Sequence, residues 1–596
     1  AKPAHPRRFP VLAATLAVGF VLGLGVLFGW LRTRGNADDH GVRRVAVLPF
    51  ENLGRPDDEY FADGVADAVR GKLAALPNLQ VAARASSAQY KRTTKSPQEI
   101  GRELGVQYLL TGTVRWEKSA GGPGRVQVSP ELVQVSTAST RWQEPFDAAL
   151  TDVFQVQSEV ATRVAQSLGV ALGSGDRARL EARPTGNLDA YDLYLRGKAF
   201  YDRGYDRDNF RASRELLERA VALDSTFALA WAALGQVRAA AYWFYYERTD
   251  AALADARAAA QRSLQLRPGL PEGHLALGYY WYWGRLDYEQ ALRELQAGLV
   301  AQPSNADIVF AIAAVRRRQG RWPEAIAGFS RAVELDPRSN IDRFNLGETR
   351  LLMHDYAGAL ADLKEAIALA PQWGLAYHLE SMAVLGAGQG AGAARTVLHE
   401  AAGRIGFSGL ARAVTENFNI ARPTFLLTGD PAWAREIDAL TLSAFGDTVA
   451  YYRIKAEYHR LAGQRERASA YDDSARVVLE ARVRERPEEP SFHGLLGTVY
   501  AAMGRAADAN REGDTAVALL PLGREAYLGG SLLAMKAQIE AQTGRPDAAI
   551  ARLETLLRIP SSVSRAMLEA DPAWALVRGD PRFRRLAERS GGSGAP

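Results

Sequence analysis

Two stretches decide the fold: RWPEAIAGFSRAVELDP at residues 321–337 and DYAGALADLKEAIALAP at residues 355–371. They superpose at an offset of 34 residues, placing Ala325 on Ala359, Phe329 on Leu363, Ala332 on Ala366 and Pro337 on Pro371. DYEQALRELQAGLVAQP at 287–303 fits the same frame through Ala291, Leu295 and Pro303. Apolar residues at three- and four-residue steps make each stretch one face of a helix. The alanines let that helix nest on a neighbour, and the closing proline cannot continue it.

A helix–turn–helix unit recurring every 34 residues is the tetratricopeptide pattern, and the chain from Leu188 onward resembles that repeat family. Small residues at Gly235, Gly278, Ala313 and Gly347 let the first helix of each unit approach its neighbours, and Pro487 and Pro521 restate the period near the C-terminus. Regular repeats are expected over 188–385, divergent helical repeats over 386–470, further repeat-like units over 471–587 and a flexible tail over 588–596. That makes eight or nine helical hairpins. The resemblance implies a right-handed superhelix whose concave groove binds peptides or protein surfaces. In the repeat frame Gln236, Tyr279, Tyr282, Arg317 and Glu348 face that groove. Two aromatic runs, YWFYY (242–246) and YYWYW (279–283), fall in successive repeats. Five contiguous residues cover every side of a helix, so some pack as core. The others, drawn from Tyr242, Trp243, Tyr245, Tyr246, Trp281 and Trp283, are candidates for an aromatic binding patch, because Tyr and Trp are the usual anchors of interfaces.

Upstream of the repeats the period changes. In RRVAVLPFENLGRPDDEYFADGVADAV (43–69) the run VAVLPF reads as a strand buried on both faces, ended by Pro49. Asp57 or Asp58 can cap the next helix, whose apolar face is Phe61, Val65, Val69, Leu73 and Leu76. A second strand is expected at Leu79–Arg84. In SPQE, Ser96 and Glu99 form a capping box with Pro97 in the first turn, and Gly105 ends that helix. Further strands are expected at Val106–Lys118, Arg125–Val135 (with Pro130 marking an edge or a bulge) and Thr140–Phe146, then a closing helix from about Asp152 to Leu172. The order β-α-β-α-β-β-β-α describes a small mixed α/β domain over 43–173, with linkers at 32–42 and 174–187.

VAVLPFENL (45–53), YFADGVADAV (60–69), IGRELGVQYLLTGTV (100–114) and RWQEPFD (141–147) resemble the TolB-amino-terminal-like domain, related to the FlgO and CsgG group. VSPELV (128–133) departs from that family's unbroken strand. The resemblance implies a binding or assembly module. In bacteria this domain and tetratricopeptide repeats follow each other in the C-terminal sensory part of membrane serine/threonine kinases, class III adenylate cyclases and CadC-like regulators.

The N-terminal segment carries a further expectation. After a basic flank at 1–10, residues 11–31 run for 21 positions without a charge, enough to cross a hydrocarbon core of about 30 Å. Lys2, Arg7 and Arg8 precede the run and Arg32 and Arg34 follow it, which favours a cytoplasmic N-terminus and a periplasmic bulk in a bacterial inner membrane. Gly19 with Gly23, and Gly25 with Gly29, form GxxxG pairs that permit helix packing and a homodimer. The expected fold is therefore multidomain: one transmembrane helix, the α/β domain and an all-α tetratricopeptide superhelix.

Catalytic chemistry is not indicated. The chain has no cysteine, its eight histidines are scattered, and it carries no HExxH, phosphate-binding loop, HRD or DFG. The acidic run Asp57, Asp58, Glu59 and Asp63 surrounds a helix start, where carboxylates meet the macrodipole. Net charge is +5 with basic and acidic residues interspersed, against nucleic-acid binding. No cofactor or metal is expected. The expected role is a membrane-anchored protein-binding scaffold or sensor. The alternatives are the C-terminal region of a kinase whose catalytic domain lies upstream of Ala1, and a structural subunit of a larger membrane complex.

Overall fold

The computed structural model describes residues 42–117, 124–204, 206–415, 430, 433–445 and 447–588. The expected membrane span at 11–31, with Gly19, Gly23, Gly25 and Gly29, lies outside them. Among the described residues no helix is long and apolar enough to cross a membrane. The transmembrane component of the fold and the inner-membrane location are therefore corrected: the described chain is an α/β domain joined to a helical repeat array.

The α/β domain is built on one sheet. Strands β1 (Arg43–Val47), β3 (Leu79–Val81), β4 (Tyr108–Glu117), β5 (Arg125–Gln134) and β6 (Ser139–Gln143) run in the order β3-β1-β4-β5-β6. Two short strands, β2 (Glu51–Asn52) and β7 (Phe146–Ala149), pair with β4 and β5. β1 is parallel to both neighbours, with Val45 opposite Val81 and Tyr108, and β4 to β6 are antiparallel. Period-two alternation splits the sheet's apolar residues between two faces. Val45 and Val47 join helices α1 (Glu59–Ala74) and α4 (Val153–Ser167) on one side. Ala46 and Leu48 join Ile100 and Leu104 of α3 (Pro97–Leu104) on the other.

Local chemistry explains where these elements start and stop. Ser96 and Glu99 satisfy each other's backbone amides in a complete capping box, and Gly105 closes α3 at φ 63°. Asp58 stands at the N-cap of α1 without capping it; its carboxylate takes the Arg55 guanidinium at 3.0 Å instead. Pro130 lies in neither an edge strand nor at the register shift. On one side it faces Gly112; on the other it falls at the break between the β7 and β6 pairings, where no partner requires an amide proton. The strand expected to run to Arg84 stops at Val81, and helix α2 (Arg84–Ala88) follows. The segment 174–187, expected as a linker, contains helix α5 (Ser174–Glu181). Its Leu180 is buried, and Lys72 holds the end of the helix through the Ala182 carbonyl at 3.0 Å.

The array consists of antiparallel hairpins. These are α6 (Leu188–Arg203) with α7 (Arg207–Leu223), α8 (Ala228–Trp243) with α9 (Asp250–Leu266), and α10 (Pro271–Tyr279) with α11 (Tyr288–Ala301). Then come α12 (Ala306–Arg318) with α13 (Trp322–Leu335), α14 (Asn340–Leu352) with α15 (Tyr356–Leu369), and α16 (Gly374–Gly386) with α17 (Gly390–Thr415), which kinks at Gly406. After α18 (Trp433–Ala439), three more hairpins follow: α19 (Thr448–Leu461) with α20 (Arg465–Glu485), α21 (Pro490–Ala502) with α22 (Ala506–Leu519), and α23 (Ala526–Gln542) with α24 (Pro546–Leu556). Two short helices, α25 (Arg565–Ala570) and α26 (Pro581–Glu588), close the chain. Close nesting requires the small residues: a Cβ on Gly235 would meet the Ala260 backbone at 3.0 Å. One hydrophobic core runs without interruption from the sheet through α6, α7 and α8, so the α/β domain and the first repeats are one packed body.

Candidate functional site

The aromatic run at 279–283 does not continue α10 as an α-helix. Residues Tyr280–Arg285 form a π-helical turn that ends at Leu286 with φ 51°. Such wide turns re-aim side chains. Here Trp283 swings over Tyr279, with ring centroids 3.9 Å apart and nearly parallel, and also stacks on Trp243 at 5.9 Å. Tyr282 is buried.

Beside this turn, the end of α12 presents two adjacent arginines, Arg317 and Arg318, to the next repeat's α14. Arg317 Nη1 donates to Glu348 Oε2 at 2.9 Å and Arg317 Nη2 to Asn345 at 3.0 Å. Arg318 Nε donates to the Tyr282 hydroxyl at 3.3 Å, and its guanidinium lies 5.3 Å from the Trp243 ring. Both arginines and Glu348 are buried, and what covers them is the chain itself. Glu525, the N-cap of α23, pairs with Arg318 at 3.3 Å. The Tyr527 ring receives Arg317 at 4.4 Å and Arg318 at 4.6 Å, while its hydroxyl donates to Glu348 Oε1 at 2.7 Å. Burial, reinforced by Glu348, holds the Tyr527 phenol far above its ordinary pKa, so it stays a donor.

A second contact of the same chemistry lies two repeats earlier on the first turn and one repeat earlier on the second. The Tyr245 hydroxyl donates to Glu489 at 2.6 Å, with Arg248 over its ring at 3.9 Å and Arg486 at 5.0 Å. Further along, the Ser561 amide donates to the Leu352 carbonyl at 2.8 Å. Residues near 245, 318, 348 and 352 thus meet residues near 489, 525, 527 and 561, always in ascending order. A superhelix whose second turn stacks on its first gives that order. We call this contact the turn–turn seam.

The opposite edge of the first turn holds the α/β domain. Helix α1 lies on α6 at Gly64, where a Cβ would stand 2.5 Å from Leu195. Asp67 faces Arg70 at 2.9 Å, Arg84 at 3.7 Å and Lys198 at 3.8 Å. Burial opposes its ionisation, but the three cations outweigh it and hold Asp67 well below the carboxylate range. Helix α2 reaches the turn between repeats at 335–338. The Ser86 hydroxyl donates to Asp336, and the Arg338 amide donates to Ser86 Oγ at 2.8 Å. Arg338 also reaches Gln89 at 2.8 Å and Glu103 at 3.2 Å. Burial pushes Asp336 up to about 6 against the Ser86 hydrogen bond.

The structure therefore places the groove candidates in different settings. Tyr282, Arg317 and Glu348 come together in the turn–turn seam, with Trp243 beside them and Tyr245 in the second contact. Gln236 instead donates to the Glu272 carbonyl at 3.1 Å, and Tyr279 supports Trp283. Tyr242 receives Arg248 at 5.0 Å, Tyr246 stacks on Phe244, and Trp281 receives Arg257 at 5.8 Å. Arg318, Glu489, Glu525 and Tyr527 carry the seam and were not legible beforehand. The one local signal was the adjacency of Arg318 to Arg317. Among the described residues no group of three or more His, Cys, Asp or Glu could hold a metal ion.

No protein-family model matches the chain. A putative adenylate cyclase of Rhizobium meliloti (strain 1021) is 31% identical over 243 residues, which is 40% of this chain and 40% of that one. The chain thus spans well under half the length of this curated relative. Among solved structures, a thermophilic tetratricopeptide protein of Thermus thermophilus is 20% identical at a TM-score of 0.27, covering 30% of this chain and 92% of its own. PilF of Pseudomonas aeruginosa is 15% identical at 0.28, covering 45% and 96%.

Proposed function

We propose that the chain is a protein-binding scaffold, in which the tetratricopeptide array recruits a protein or peptide partner and the α/β domain assists assembly or relay. One observation carries this reading: the first-turn repeats grip two protein surfaces of the same chain at once. The α/β domain is held at one edge and the second-turn repeats at the other, through Tyr, Trp and Arg anchors of the kind that dominate interfaces. Because a repeat nests on its neighbours through part of its surface, the rest is available for such contacts. Cross-linking mass spectrometry on the full chain in extracts of its own cell tests the reading. Reproducible cross-links from a partner to residues 188–556 are expected, and cross-links confined to the α/β domain would overturn it.

The likeness to a putative adenylate cyclase favours a second reading, in which the chain is the non-catalytic region of an effector such as a kinase or cyclase. The intact mass of the native protein separates the two. A product much longer than 596 residues supports the effector, and one of that length supports a free-standing scaffold.

A further inference from the structure

We infer that the seam around Arg317 and Arg318 is a receptor site for an acid-x-tyrosine segment, and that the chain's own Glu525-Ala526-Tyr527 occupies it as a built-in competitor. The inference rests on the scaffold reading and names the partner's chemistry.

Each feature of the site matches one feature of the segment. The Arg318 guanidinium takes the carboxylate of Glu525 at 3.3 Å. Two residues on, the phenol ring of Tyr527 receives Arg317 at 4.4 Å and Arg318 at 4.6 Å. Its hydroxyl reaches Glu348 at 2.7 Å. A segment lacking the acid leaves Arg318 dry and unpaired, and one lacking the phenol leaves a hole between two cations. Trp243 and Tyr282 complete the apolar wall, a combination suited to a carboxylate beside an aromatic ring.

Two observations distinguish a receptor from ordinary core packing. First, the receiving residues are held in place by the first-turn repeats: Arg317, Glu348, Asn345 and Tyr282 are already bonded among themselves or to Arg318 without the incoming segment. Second, Tyr288 is buried beside the site, 6.2 Å from the Tyr282 ring, and its hydroxyl has no hydrogen-bond partner among the described residues. A buried orphan hydroxyl costs free energy, so the internal segment does not satisfy everything the site offers. An external segment with one more acceptor has a place to use it.

A segment tethered in the same chain presents itself at an effective concentration of about millimolar. Free peptide at micromolar concentration therefore does not displace it from the wild-type protein, and the site stays closed until the second turn lifts.

The test uses the full chain and a fluorescent peptide of residues 520–532, LPLGREAYLGGSL. Glu525→Gln with Tyr527→Ala removes both internal anchors. The double variant is expected to bind the peptide at least about tenfold more tightly than wild type and to show a larger radius of gyration by small-angle scattering. Adding Arg318→Ala to it abolishes binding, as does Tyr→Ala in the peptide. Should the double variant fail to fold by circular dichroism, Tyr527→Phe replaces it; it keeps the ring, removes the donor to Glu348 Oε1, and still binds the peptide more tightly than wild type. Equal binding to wild type and variant, or equal binding of the Tyr→Ala peptide, overturns the inference. If that happens while a partner still cross-links to the array, only the acid-x-tyrosine site falls and the scaffold reading stands.

Discussion

At the edge that holds the α/β domain, Arg84 and Lys198 keep 32% and 29% of their side-chain exposure, and Asp67 and Asp202 keep 18% and 27%. At the turn–turn seam Arg317 and Arg318 keep 5% and 6%, and Glu348 and Glu525 keep 10% and 1%. Both surfaces use arginine and carboxylate, yet their physics differs. Partly wet charges are screened by salt within about a Debye length, roughly 8–10 Å at physiological ionic strength. Dry charges are not screened, but each must be matched in number and position, because an unmatched one remains in a low dielectric. The wet edge is thus adjustable by solution conditions, while the dry seam is adjustable only by a competing segment.

That contrast can be broken most directly at Glu525. Glu525→Ala leaves Arg318 charged and dry and removes the N-cap of α23. It should cost about 3–5 kcal/mol of unfolding free energy in urea titration. A loss below about 1 kcal/mol, the range of exposed pairs, would mean the seam is wet after all.

A smaller effect is expected from protons where the α/β domain meets the 335–338 turn. Asp336 titrates near 6 in the folded chain because burial disfavours its anion, with Asp307 adding repulsion and Arg70 opposing it. Asp342, raised well above the usual range by burial and by Asp336 and Asp307, acts in the same sense. A carboxyl whose folded pKa exceeds its unfolded value binds protons more tightly when folded. Its contribution is therefore complete below about pH 4 and lost as pH rises through about 6, a change of at most about 3 kcal/mol for Asp336. Thermal unfolding of Asp336→Asn should show a flatter profile across that window than wild type. Parallel profiles would remove the proton linkage.

Arg84→Ala tests the salt argument. It should destabilise by about 1 kcal/mol at low ionic strength and by less in 1 M salt, where the Debye length is about 3 Å. An effect independent of salt would place Arg84 in the dry class with Arg317.

The smallest effect belongs to His493, which pairs with Glu512 at 2.7 Å and with the Pro487 carbonyl at 2.8 Å. The Glu512 hydrogen bond raises its pKa against burial. That stabilisation is present below the ordinary histidine value and fades as pH rises through the raised one, by about 0.5–1 kcal/mol. Hydrogen exchange in α21 and α22 should quicken accordingly, and His493→Gln should remove the pH response. His274 repeats the geometry, at 2.8 Å from Glu294 and 3.0 Å from the Pro268 carbonyl.

Sequence by itself determined whatever depends on neighbours in the chain. The capping box at Ser96–Glu99 and the stop at Gly105 are settled within a few residues, and the 34-residue period sets the hairpins because each hairpin's nesting face is matched to the next. The placement of Arg317 and Glu348 on successive repeats follows from the same period. Tertiary structure alone decided what lies on them. Tyr527 and Glu348 are 179 residues apart, and Ser86 and Asp336 are 250 apart. The strand expected at Leu79–Arg84 ends at Val81, and helix α2, five residues with buried serines, carries no local signal because its packing against the 335–338 turn is remote in the chain. The open groove implied by the repeat frame is closed at its seam because superhelical pitch, a sum of small rotations over many repeats, brings the second turn down on the first. No single repeat carries that information.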